Sequence, residues 1–307
     1  MGFIQALVAR KRSRRRCSIN TGGNTPVAFV NGEFLPLEQA TVHIEDRGFQ
    51  FADGVYEVIA CFGGNFLDLK PHLERLKHSC DAVHISLPRP LYELEALVRE
   101  LYARNSFSDA MIYIQITRGT APRSHVINKA IEPTLVMTVR ALPEPSERKT
   151  NKGLSAITLA DFRWGRCDIK STALLASVMG RYEAMAHGVD EAIWIDESGH
   201  VLEGCATNLF AVIDGSLVTH PLDHRILGGI MRDMVLRIAE NEGMSLQQRC
   251  WSLNEPELSE CMISSTTNAV LPLCTVDDRA VGNGMPGPVA ALIRKRILAE
   301  LDALRTG

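Results

Sequence analysis

No apolar run in the 307-residue chain approaches the ~20 residues a bilayer-spanning helix needs. The eight cysteines (Cys17, Cys61, Cys80, Cys167, Cys205, Cys250, Cys261, Cys274) form no C-x-x-C pair, and none stands at zinc-ligand spacing to a histidine pair. Neither a dithiol motif nor a structural metal site is indicated, and free thiols in a reducing compartment are expected. Charge of neither sign dominates: Lys+Arg number 33 against Asp+Glu 36, a formal net charge of −3. That balance does not point to nucleic acid or an anionic membrane as a partner. No G-x-G-x-x-G follows a strand, no β-α-β periodicity is visible and no internal repeat occurs, which argues against a doubly wound sheet. Acidic residues are also missing before Glu33, where Arg10, Lys11, Arg12, Arg14, Arg15 and Arg16 cluster. An organelle transit peptide shares that composition, but a disordered basic tail over residues 1–25 is the simpler expectation. The apolar stretch 3–9 is short and precedes the charges, unlike a secretory signal. The cytoplasm is the expected location.

What the chain does have is 46% hydrophobic and 22% charged residues, the profile of a soluble globular protein with length for two domains. The patterning predicts an α+β fold. A hairpin is expected at Asn31-Gly32, a strand over 55–62 turned by Gly63-Gly64-Asn65 into 66–69, and helices over 71–83 and 91–107. Strands over 111–117 and 134–141 complete an N-terminal domain, 26–142. Pro143, Pro145 and a mixed charge run mark a linker, 143–153. A C-terminal domain, 154–307, is expected to hold a strand over 155–160 and a helix over 171–186 closed by Gly188. Hairpins at Ser198-Gly199 and Asp214-Gly215 follow, then a helix over 230–241 opened by Gly228-Gly229, a strand at 262–263 and a final helix over 288–304.

Several segments have the residue types for chemistry. Leu227-Gly228-Gly229-Ile230 and Ser264-Ser265-Thr266-Thr267 suit an anion, because first-turn N–H groups and hydroxyls are donors; ordinary capping is the plainer reading. Lys170, between a strand and a helix start, becomes a nucleophile if desolvation lowers its pKa, although most lysines are solvated surface groups. Glu203, after a hairpin turn, is either a buried paired carboxylate or a turn cap. Arg123 and His125, in a loop after a strand, suit a substrate carboxylate, yet a single arginine is by default a surface residue.

Taken together, six ordered segments resemble the class IV (fold type IV) pyridoxal-phosphate aminotransferases over about residues 30–304, most closely the D-amino-acid aminotransferases. They are Glu45-Asp46-Arg47-Gly48-Phe49-Gln50-Phe51, Asp53-Gly54-Val55-Tyr56-Glu57-Val58, Arg163-Trp164-Gly165-Arg166-Cys167-Asp168-Ile169-Lys170-Ser171, Glu203-Gly204, Asn208-Leu209-Phe210 and Ser264-Ser265-Thr266-Thr267.

The resemblance implies a two-domain fold with pyridoxal 5'-phosphate in the cleft between domains. Lys170 would carry the cofactor and move the substrate proton, and Glu203 would pair with the pyridine nitrogen. Arg75, the N–H groups of Ile230 and Met231, and Thr266 would hold the phosphate, while Leu227 packs on the ring. Met231 departs from the pattern, since many relatives carry threonine there; Cys205 and Ala206 stand where relatives often have serines. Tyr56, Arg123 and His125 match the D-amino-acid carboxylate trap, the Arg–His pair coming across a homodimer interface in relatives. The implied reaction is ping-pong transamination between a D-amino acid such as D-alanine and a 2-oxo acid such as 2-oxoglutarate. An aminodeoxychorismate lyase-type enzyme or an (R)-selective amine transaminase of the same fold is the alternative, and a non-enzymatic binding protein is a third reading. No nucleic acid or membrane partner is implied.

Overall fold

The structure, a computed structural model, describes residues 25–126, 131–143 and 147–306; the expected basic tail lies outside the described residues. Strands β1 (Val27–Val30) and β2 (Glu33–Pro36) pair antiparallel about Asn31 and Gly32. Both turn residues have positive φ, 47° and 104°, the condition of the type I′ turn that Asn-Gly favours. Strand β3 (Gly54–Phe62) turns through Gly63 and Gly64 into β4 (Asn65–Phe66). That strand is shorter than expected, because Asp68, at φ 46°, redirects the chain into helix α2 (Leu69–Ala82). Helix α3 (Leu91–Ala103) ends before 107, where the Asn105 side chain donates to the Leu101 carbonyl at 2.7 Å and satisfies a last-turn orphan. With β5 (Asp109–Thr117) and β6 (Thr134–Ala141) the first half forms a six-stranded sheet in the order β2-β1-β6-β5-β3-β4. Leu73 and Leu76 of α2, Leu94, Val98 and Leu101 of α3, and Ile112, Ile114 and Ile116 of β5 fill one core.

The second half builds a nine-stranded sheet from β7 (Leu154–Ala160), β8 (Glu191–Ile195), β9 (Val201–Gly204), β10 (Asn208–Ile213), β11 (Ser216–Thr219), β12 (Leu246–Gln248), β13 (Leu258–Ser265), β14 (Ala269–Val276) and β15 (Arg279–Ala280). The ladder β10-β13-β14-β7-β8-β9 closes on itself, because Asn208 of β10 pairs with Glu203 of β9. Helices α5 (Leu175–Ala186), α6 (Ile230–Asn241) and α7 (Pro288–Thr306) accompany it.

The α+β class holds, with four local differences. Two parallel crossovers are present, β7-α5-β8 and β11-α6-β12; a long irregular stretch before α5 and a three-residue β12 hide them from periodicity. Helix α5 starts at Leu175 rather than 171, because Ser171 bridges Val55 and Thr172 N–H donates to Gly54 O, giving that segment to β3. Short helices α1 (Arg47–Phe51) and α4 (Glu147–Lys152), the latter inside the expected linker, have too few turns to show a period. Strand β14 contains Pro272, which normally argues against a central strand; it pairs with Met262 of β13, and pairing with β7 begins only at Leu273.

Ala60, Phe62 and Leu67 from the first half share a buried core with α6 and α7 of the second, which fixes the two sheets against each other. Ile114 is fully buried in the first core. Ile114→Ala is expected to lower stability by about 2–5 kcal/mol in chemical denaturation; a loss well under 1 kcal/mol would contradict this packing.

Candidate active site

A cleft opens between the two sheets. Tyr56 of β3 and Arg75 of α2 line it from the first half; Lys170, Glu203, Leu227, Ile230, Met231 and Thr266 line it from the second. Eight of the ten residues expected at the site therefore meet in one cavity.

Lys170 is placed by backbone pairing with β3: Tyr56 N–H donates to Lys170 O at 2.9 Å, and Lys170 N–H donates to Ser79 Oγ at 3.2 Å. Its Nζ stands 4.6 Å from the Tyr56 ring centroid. Burial, reinforced by the Arg75 charge, pulls the amine down to about 8, although Glu57 and Glu203 act the other way. Glu203 sits on β9 and is buried. Its Oε1 accepts from Arg163 Nη1, and its Oε2 accepts from Leu227 N–H at 3.0 Å and Asn208 Nδ2 at 3.2 Å. Burial outweighs these donors and pushes the carboxyl up to about 7.

Arg163, assigned no role from sequence, is the partner that makes a buried Glu203 tolerable. Burial works against its charge, but Asp161 holds it with two bonds of 2.9 Å and its Nη2 also reaches Arg225 O at 2.9 Å. Forty residues separate it from Glu203, so spacing carries no sign of the pairing. Glu57 was also missed, although its inward parity with Val55 and Ile59 on β3 is readable. It binds Arg75 Nε at 2.7 Å, Arg75 Nη2 at 2.9 Å and His72 Nδ1 at 2.7 Å. Burial raises its pKa, but Arg75 and His72 outweigh that and hold it at about 2. Arg75 Nη1 in turn donates to Gly228 O at 2.7 Å, fastening the loop that opens α6.

The expected aromatic aldehyde phosphate fits these groups. Gly229 caps α6 with no side-chain bond, and a Cβ there would lie 2.1 Å from Asn208 Oδ1. The first turn of α6, through Ile230 and Met231, lines the cleft beside Arg75 and Thr266, an arrangement suited to phosphate. Thr207 Oγ1 and Ser264 Oγ, which also line the cleft, are buried and without partners among the described residues. Met231 buries its side chain in the α6–α7 core and can offer only its N–H.

Arg123 and His125 are not in this cleft. Both are exposed and rest on Phe51, Arg123 Cζ lying 4.6 Å from the ring centroid and His125 5.4 Å. With the Lys170 amine near 8, its reactive neutral form grows as pH rises through that value. Acylation of Lys170 in the cofactor-free protein, followed by peptide mass spectrometry, is expected to inflect near pH 8; an inflection above ~10, the range of a solvated lysine, would contradict its desolvation.

Comparison with known proteins identifies the family. The family "Amino-transferase class IV" matches residues 54–276. The chain is 35% identical over 269 residues to D-alanine aminotransferase of Staphylococcus haemolyticus, covering 87% of this chain and 95% of that one. It is 37% identical over 275 residues to D-alanine aminotransferase of Bacillus licheniformis, covering 88% and 96%. Among solved structures, the T.th. branched-chain amino acid aminotransferase with pyridoxamine 5'-phosphate superposes with a TM-score of 0.86 at 26% identity, over 92% of this chain and 96% of that one. The chain belongs to the class IV aminotransferases, enzymes whose cofactor is pyridoxal 5'-phosphate.

Proposed function

We propose that this transaminase moves an amino group between a D-amino acid, such as D-alanine, and a 2-oxo acid, such as 2-oxoglutarate, in two half-reactions of ping-pong type. The observation that carries the reading is the meeting of a desolvated Lys170 and a buried Glu203 in one cleft with the N-terminal end of α6. The similarity to the D-alanine aminotransferases of Staphylococcus haemolyticus and Bacillus licheniformis supports the D-amino acid.

When bound, pyridoxal phosphate supplies an aldehyde that captures the amine and a ring that takes up the electrons left at substrate Cα. Arg75, the N–H groups of Ile230 and Met231, and Thr266 would hold the phosphate, and Leu227 would pack on the ring. Glu203 would pair with the ring nitrogen: its carboxylate would favour the protonated nitrogen, and that cation would in turn favour the charged carboxylate. Lys170 Nζ would hold the cofactor and move the proton at Cα, a task helped by a pKa near the working pH. Tyr56 borders the substrate space.

The trap reading requires a second copy, because Arg123 and His125 stand outside their own chain's cleft. Supporting a homodimer, α5 exposes Leu175, Val178, Met179 and Tyr182, an i, i+3, i+4, i+7 apolar stripe, and Leu174 and Trp164 at the cleft mouth are exposed too. The two sheets are read as two domains, 26–142 and 154–307. The position of Arg123 and His125 also favours a second reading, the lyase or (R)-amine transaminase, if no partner copy supplies them.

Visible absorption of the purified holoenzyme separates the two. D-alanine, but not L-alanine, is expected to bleach the coloured band, and 2-oxoglutarate to restore it. A band indifferent to both enantiomers moves the assignment to the second reading.

A further inference from the structure

The loop bearing Arg123 and His125 is exposed at its tip yet fastened at several points. Arg47, 4% exposed, donates from Nη1 to Ser124 O at 2.5 Å, the carbonyl between those two residues. Its backbone N–H donates to Gly119 O at 2.9 Å, and Asp46 bridges Thr120. The Nε edge of Arg47 is engaged elsewhere: Asp53 accepts from Arg47 Nε at 2.8 Å and from Arg118 Nε and Nη2 at 2.8 and 2.9 Å. Its remaining arm is therefore available to the loop.

The side chains have their own support. Phe51, the last residue of α1, meets Arg123 at 4.6 Å and His125 at 5.4 Å with ring planes 52° apart, and Arg47 Cζ lies 4.8 Å from the same ring centroid. An exposed arginine has many rotamers to lose when it binds an anion. A ring face that attracts the guanidinium narrows those rotamers before the anion arrives.

We propose that Phe51 and Arg47 are positioning residues for the substrate carboxylate: Phe51 presents Arg123 and His125, and Arg47 fixes the carbonyl between them. The inference rests on the reading of Arg123 and His125 as the carboxylate trap. Both residues act through that pair.

The test follows bleaching of the holoenzyme's coloured band against D-alanine concentration, separating half-saturation from the limiting rate. Arg123→Ala is expected to raise the half-saturating concentration strongly. Phe51→Leu is expected to raise it about two- to fivefold, on the scale of an exposed cation–π contact, with little change in limiting rate. Phe51→Tyr keeps a ring and stays near the parent. Arg47→Lys raises half-saturation in the same direction, and the Phe51→Leu/Arg123→Ala double variant is no worse than Arg123→Ala alone.

An unchanged half-saturation in Phe51→Leu, or an additive double variant, overturns the positioning role while leaving the trap standing. An unchanged Arg47→Lys overturns the part given to Arg47. A fall in limiting rate and melting temperature together, with half-saturation constant, shows a merely structural role and overturns the inference. An Arg123→Ala variant with parental half-saturation overturns the trap and the positioning role together.

Discussion

A carboxylate held out of water on β9 is the constraint from which the cleft is organised. Leaving Glu203 buried without donors would be costly, because an unpaired buried charge is among the largest penalties a fold can carry. Three segments therefore converge on it: Arg163 from the loop after β7, Leu227 from the loop before α6, and Asn208 from β10. The same convergence brings Lys170 and the open end of α6 into one cavity. Satisfying Glu203 and assembling the site are one geometric requirement.

The remaining buried charges follow the same logic. Glu57 ties Arg75 and His72 together inside the first half, and Arg75 reaches across to Gly228 in the second. Asp53 pairs with both Arg47 and Arg118 beneath the exposed loop, one carboxylate shared by two guanidinium groups. Pairs of this kind contribute little net stability over an apolar core, but removing one partner is severe, so they fix orientation more than they add strength. Their positions at the joins between β3, α2 and the two loops match that role.

Much of this was legible in the sequence, for identifiable reasons. Asn31-Gly32 and Gly228-Gly229 announce their turn and helix start through backbone chemistry that few other residues supply, and 134–141 and 230–241 match β6 and α6 end to end. Lys170 and Glu203 were identifiable only through the resemblance, since neither residue is distinctive alone. What was not legible was long-range: the closure of Asn208 on Glu203, the Arg163 partnership, and strand pairing that removes Ser171 and Thr172 from α5. Strand β14 was hidden by Pro272, whose tolerance depends on where the neighbouring strand begins. Phe51 gave no signal either, because α1 is only five residues long.

The central claim is that Lys170 is the amine this cleft presents to the cofactor. Borohydride reduction of the coloured holoenzyme, followed by peptide mapping, tests it directly. The account predicts a phosphopyridoxyl mass on the peptide containing Lys170 and on no other lysine. A label on a different lysine, or bleaching without any labelled peptide, would contradict it.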